Sequence, residues 1–128
     1  MSLWHFLNIA GDLEVAGLVW TPSIGDEVSQ RSNPETISVL VDPEGLSMPE
    51  LRATFLWLPT VEQMVGQFEA RQAILFHAGL DLSGSAFAYR TVIQSPIGQI
   101  ETTAESLREA VGIALRDLLL ADQRGALH

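Results

Sequence analysis

The stretch that most limits what this chain can fold into is residues 103–122. There Leu107, Ala110, Val111, Ala114, Leu115 and Leu118 recur at helical spacing on one side, while Glu105, Arg108, Glu109, Gly112 and Arg116 fall on the other. Thr102 and Glu105 stand in capping-box spacing at its start. A helix of this length with one apolar stripe is not stable alone, so the rest of the chain must supply a surface for it to cover. Residues 60–72 predict a second, shorter amphipathic helix, opened by the box Thr60–Gln63 and striped by Val61, Met64, Val65 and Phe68.

The remaining segments read mainly as strands. Residues 3–9 and 13–20, split by Gly11-Asp12, are rich in Trp, Phe, Ile and Val, which favours two strands; a short helix ending at Gly11 competes for the first. Residues 36–41 form a β-branched run closed by the turn chemistry of Asp42-Pro43-Glu44-Gly45. Over residues 51–58, Leu51, Ala53, Phe55 and Trp57 alternate as in a half-buried strand, although Ser47 and Glu50 have the spacing of a helix start. Residues 21–36 are rich in turn formers and predict a mobile loop or a short edge hairpin. Residues 73–82 and 86–94 make a hairpin through Ser83-Gly84-Ser85. The expected fold is therefore α+β, roughly ββββαββα. It has a mostly antiparallel sheet of five or six strands with two amphipathic helices on one face. No repeat, linker or low-complexity segment divides it, so residues 1–128 read as one domain.

Charge narrows the partners. Sixteen acidic residues against seven basic ones leave a net charge of −9 over the 128 residues. The basic residues are all arginine, spread singly at Arg31, Arg52, Arg71, Arg90, Arg108, Arg116 and Arg124. Nucleic-acid affinity depends on clustered cations displacing counterions, and an anionic bilayer would repel such a surface. Neither partner is expected. No apolar run approaches the roughly 20 residues that span a bilayer, and the start lacks the basic region of a signal peptide, so a cytoplasmic location is expected.

The chain also lacks cysteine and lysine altogether. That excludes thiolate nucleophiles, iron–sulfur and Cys-zinc sites, a Walker A lysine and a lysine Schiff base. No glycine pair forms G-x-G, so the dinucleotide fingerprint is missing, and no G-x-S-x-G elbow accompanies a serine. No cofactor is expected.

Asp81-Leu82-Ser83-Gly84-Ser85 has the pattern D-x-S-x-S. It is similar to the metal-ion-dependent adhesion site of von Willebrand A-type domains, which implies a carboxylate and hydroxyls holding Mg²⁺ through hard oxygen ligands. In that family a helix follows the motif, whereas here a β-rich run follows; a polar hairpin turn without metal is the expectation. His77, four residues before Asp81, is placed by alternation opposite Phe76 on the outer sheet face. A general-base role is one reading and a surface histidine the favoured one. His5, flanked by Trp4 and Phe6, reads the same way, and His128 is expected to be disordered at the terminus. The adjacent carboxylates Asp26 and Glu27 would serve acid–base or metal chemistry only if they converged in space, and neighbours in a turn usually diverge.

Aromatic residues are the softer sign. Trp57, Phe76, Phe87 and Tyr89 fall on predicted strands, and with both helices on one face some must lie on an open face, where aromatics mark an interface. These four are the candidate interface; His77, Asp81, Ser83 and Ser85 are the candidate polar site. The layout resembles the small acidic chaperones of type III secretion, which are α+β homodimers that hold client segments and open on a helix. The expected function is a non-enzymatic binding or assembly module, a chaperone-like homodimer with a protein partner that offers basic and apolar surface. A small enzyme using Asp, Glu and His, or an oxygen-ligated divalent metal, is the alternative.

Overall fold

A computed structural model describes residues 4–42, 45–83 and 85–126. Phe6, Ile9, Ala10 and Leu13 follow the spacing i, i+3, i+4, i+7 and are all buried, and they lie on a helix, α1 (Trp4–Val15). This corrects the two strands expected over residues 3–9 and 13–20. Trp, Phe and Ile favour strands only as fillers of a half-buried surface, and here the helical period outweighs that preference. The helix passes through Gly11 and stops at Gly17, which takes φ +106°. Gly17 N–H bonds to Glu14 O at 3.1 Å and Leu18 N–H to Leu13 O at 2.9 Å. That pair of bonds satisfies the last carbonyls, and the left-handed position is one that glycine occupies without strain.

A hairpin follows, β1 (Glu27–Gln30) and β2 (Asn33–Val39), of which β2 alone is an edge strand. Ser47 and Glu50 form a complete capping box, so residues expected as a strand begin instead as α2 (Met48–Thr54). Only their end is extended, as β3 (Phe55–Trp57). Next come α3 (Val61–Ala70), with its Thr60–Gln63 box formed as predicted, and the long hairpin β4 (Ile74–Ser83) and β5 (Ala86–Ser95). A strand that the sequence reading missed, β6 (Gly98–Ala104), precedes α4 (Leu107–Ala126). Pro43, Glu44, Gly84 and His128, which figured in the predicted turns and terminus, lie outside the described residues.

The α+β class holds, but the arrangement differs from a single sheet under two helices. The strands form two three-stranded antiparallel sheets, β2-β1-β3 and β4-β5-β6, with four helices among the described residues. The main core joins α1, α3 and α4 to Ile93 of the second sheet, with Leu58, Met64, Phe68, Leu115 and Leu118 fully buried.

Helix α4 starts one turn later than predicted. Thr102 belongs to β6 and donates its Oγ1 proton to Ala110 O at 2.7 Å, so the N-terminal cap is Ser106, whose Oγ accepts from Glu109 N–H and donates to the Glu109 carboxylate. Nor do Gly112 and Arg108 face solvent. A Cβ at Gly112 would stand 2.8 Å from Ile9 Cγ2 and 2.9 Å from Phe6 Cε1, so the missing side chain is what lets α1 approach α4. Gly112→Ala should therefore destabilise by about 1–2 kcal/mol, because overpacking outweighs the gain in helix propensity. Gly66→Ala, at an exposed position of α3 with nothing within 4 Å, should stabilise by about 0.5–1 kcal/mol. Urea melts of the two variants should shift in opposite directions; a shared direction would mean that the α1–α4 contact is looser than described.

Candidate functional site

The second sheet is built around β5. Cross-strand partners place Leu75, Ala78, Leu80 and Leu82 of β4 beside Ile93, Thr91, Tyr89 and Phe87 of β5 on one face. Ile100, Thr102 and Ala104 of β6 continue that face. At one end it is core: Thr91 and Ile93 are fully buried where α4 crosses β5 and β6. At the other end β6 stops at Ala104, opposite Tyr89, while β4 and β5 run on through the pairs Asp81↔Ala88, Leu82↔Phe87 and Ser83↔Ala86. The hairpin thus leaves the sheet as a two-stranded ribbon. Leu82 and Phe87 on it are 61% and 67% exposed, and Leu80 in the last three-stranded row is 53% exposed, on the very face that is core a few residues away.

The opposite face of the same sheet carries charge. Asp81 is bracketed by His77, with Nε2–Oδ1 at 3.1 Å, and by Arg90, with Nη1–Oδ2 at 3.3 Å; Arg90 Nε also donates to Glu101 Oε1 at 2.7 Å. The hydrogen bond with Arg90 holds the Glu101 carboxyl below its ordinary range, and the same bond raises Arg90 above its own. His77 and Asp81 are four residues apart, too far to touch along a flat strand. The imidazole lies over Gly79 between them, with Cε1 3.6 Å from where a Cβ would be, an ordinary contact distance.

The four candidate interface residues separate. Phe87 and Tyr89 lie on the ribbon's apolar face, Phe87 exposed and Tyr89 half-buried. Phe76 is the extra residue of a bulge between Leu75 and His77 and is exposed; the bulge breaks the alternation from which His77 was placed opposite Phe76. Trp57 sits on β3 in the other sheet, half-buried and packed against both core clusters. Leu80 and Leu82 were missed as interface residues, since alternating leucines on a strand predict core equally well.

The polar candidates separate too. His77 and Asp81 share the charged face and are both half-buried, with His77 Nε2 itself buried and close to the Asp81 carboxylate but not in hydrogen-bonding alignment with it; Ser85 is exposed in the turn, and the Ser83 side chain lies outside the described residues. Asp26 is buried and fully engaged, accepting from Trp20 Nε1 at 2.8 Å, Ser23 N at 3.0 Å and Gln63 Nε2 at 2.9 Å. Glu27 pairs with Arg108 Nη1 at 3.4 Å. Arg108 also donates to Pro59 O at 2.8 Å and Leu58 O at 2.5 Å and lies 4.8 Å from the centre of the Phe6 ring, so burial pushes its pKa down while Glu27 draws it back up. His5 is an exposed residue of α1. Asp26 and Glu27 therefore belong to the first sheet and its links to α3 and α4, and His77 and Asp81 to the second. The open groove between β6 and α4, lined by Ile97, Gln99, Glu101 and Asp117, contains none of these four.

Among the described residues no cluster of three or more His, Asp or Glu could hold a metal ion, and no helix is long and apolar enough to cross a membrane. Comparison with protein-family models, curated proteins and solved structures gives no match.

Proposed function

We propose that this chain is a non-enzymatic binding or assembly module, a single cytoplasmic domain that self-associates and holds a polypeptide partner on the apolar face of its β4–β5 ribbon. The observation that carries this reading is the exposure of Leu80, Leu82 and Phe87 on a continuation of the core face. A two-stranded ribbon is marginal in water, and an uncovered apolar face on it costs more stability still. A partner that covers the face removes both costs.

The partner's chemistry follows from charge. Apolar anchors would seat against Leu82 and Phe87, and Lys or Arg around them would complement a chain of net charge −9. An array of synthetic peptides should therefore yield ligands with two or three large apolar residues flanked by basic ones. Leu82→Asp and Phe87→Asp, both at exposed positions that leave the core intact, should each weaken that binding at least ~10-fold. Duplex DNA and RNA should not bind near physiological salt. Undiminished peptide binding by both variants would defeat the proposal, as would selection of acidic peptides.

A further inference from the structure

Each sheet in this fold has two outer edges, and three of the four are blunted. β2 carries Pro34 and Glu35, β3 is three residues long, and β6 carries Glu101 in mid-strand. The fourth, β4, runs for ten residues, Ile-Leu-Phe-His-Ala-Gly-Leu-Asp-Leu-Ser, without proline, lysine or arginine. Among the described residues its outer edge pairs with no strand, and Ile74, Phe76, Leu80 and Leu82 are all more than half exposed. An edge of this length, apolar as far as Leu82 apart from His77 and Asp81, is a template for a strand that can answer those two residues.

We infer that the occupant is β4 of a second copy, paired antiparallel across a two-fold axis at Gly79. The inference rests on the self-association in the reading above and specifies its geometry. A two-fold axis perpendicular to the sheet keeps both apolar faces on one side, and directly opposite residues share a face. The axis must then pass through a residue, not between two. Placed at Gly79, it sets His77 opposite Asp81 of the second copy and Asp81 opposite the second His77, with Ala78 facing Leu80 on the apolar side. The imidazole can donate to the carboxylate whether or not it is protonated. The two glycines on the axis leave room for the four side chains above them.

Neighbouring registers lack this match. An axis at Asp81 opposes two carboxylates, and one at Leu80 leaves His77 facing Ser83 and Asp81 facing Gly79. The charge pattern of β4 is complementary to itself in the Gly79 register, and the six-stranded sheet so formed joins the two ribbons' apolar faces into one surface.

Because the chain has no cysteine, a single introduced thiol reports its own neighbour. Either kind of antiparallel pair lies within the Cα span of a disulfide, and a Cβ at Gly79 meets nothing closer than 3.6 Å. Light scattering of the wild-type chain should give twice the monomer mass. Gly79→Cys should cross-link under mild oxidation, well ahead of Leu80→Cys. His77→Asp and Asp81→His should each weaken dimerisation roughly tenfold, because each replaces two cross-strand imidazole–carboxylate pairs by two like pairs; an equimolar mixture of the two should recover it as a heterodimer. A wild-type dimer in which Leu80→Cys cross-links first, or in which the charge variants dimerise normally, overturns the register. A wild-type monomer at high concentration overturns the inference altogether, while the peptide array decides ribbon binding separately.

Discussion

Leu115→Ala should cost about 2–5 kcal/mol, against a total stability of about 5–15 kcal/mol for a domain of this kind. Leu115 is fully buried on α4, in the cluster where that helix meets α1, α3 and Ile93 of β5. Cutting it to Ala removes the transfer free energy of three carbons and leaves a void bounded on several sides by separate elements, which cannot all collapse into it. Leu120→Ala makes the same chemical change on the same helix at a position 39% exposed, and should cost no more than about 0.5–1 kcal/mol. The two belong in urea melts at one protein concentration, so that self-association affects both alike. Equal losses would mean that the packing of α4 is not as described. Glu109→Ala is a poorer control than its place on the helix suggests, because the Glu109 carboxylate accepts the hydroxyl proton of Ser106, whose Oγ caps the helix.

The amphipathic stripe of α4 was legible because its period is sustained over many turns, and the hairpin at residues 74–95 because turn residues separate two β-rich runs. The largest failure ran through α1. Its aromatic and β-branched residues favour a strand by type, while the spacing of Phe6, Ile9, Ala10 and Leu13 is that of a helix running on through Gly11. Without α1, α4 had only one face to bury, so Gly112 and Arg108 were assigned to solvent. Gly112 in fact faces Phe6 and Ile9, and Arg108 lies over the Phe6 ring. One misread helix thus propagated to another some hundred residues on. The division into two sheets had no local signal, since the pairing of β1 with β3 joins residues on either side of α2. The candidate surface was half legible for a related reason. Phe87 and Tyr89 stood out as aromatics, but the exposure of Leu80 and Leu82 depends on β6 ending before the hairpin does.

Asp26→Ala should also be strongly destabilising, by about 2–4 kcal/mol, and the size of the loss bears on what the residue is for. Asp26 is buried, and its carboxylate takes protons from the Trp20 indole, the Ser23 backbone and the Gln63 amide. Removing it strands the indole N–H and the amide away from water, at about 1–3 kcal/mol for each buried donor. Asp26→Asn is the sharper probe. Its single oxygen can still serve Trp20 and Ser23, but its new NH₂ faces Gln63 Nε2. Gln63 cannot turn to offer its oxygen without cost, because Oε1 already accepts from Thr60 N–H at 2.9 Å in the capping box of α3. The expected order is therefore wild type, then Asn lower by about 1–2 kcal/mol, then Ala lowest. A carboxylate kept for catalysis behaves otherwise, since its removal commonly leaves stability unchanged or improves it. If Asp26→Ala unfolds at the same urea concentration as the wild type, the structural role assigned here is wrong, and the enzymatic alternative regains one of its residues.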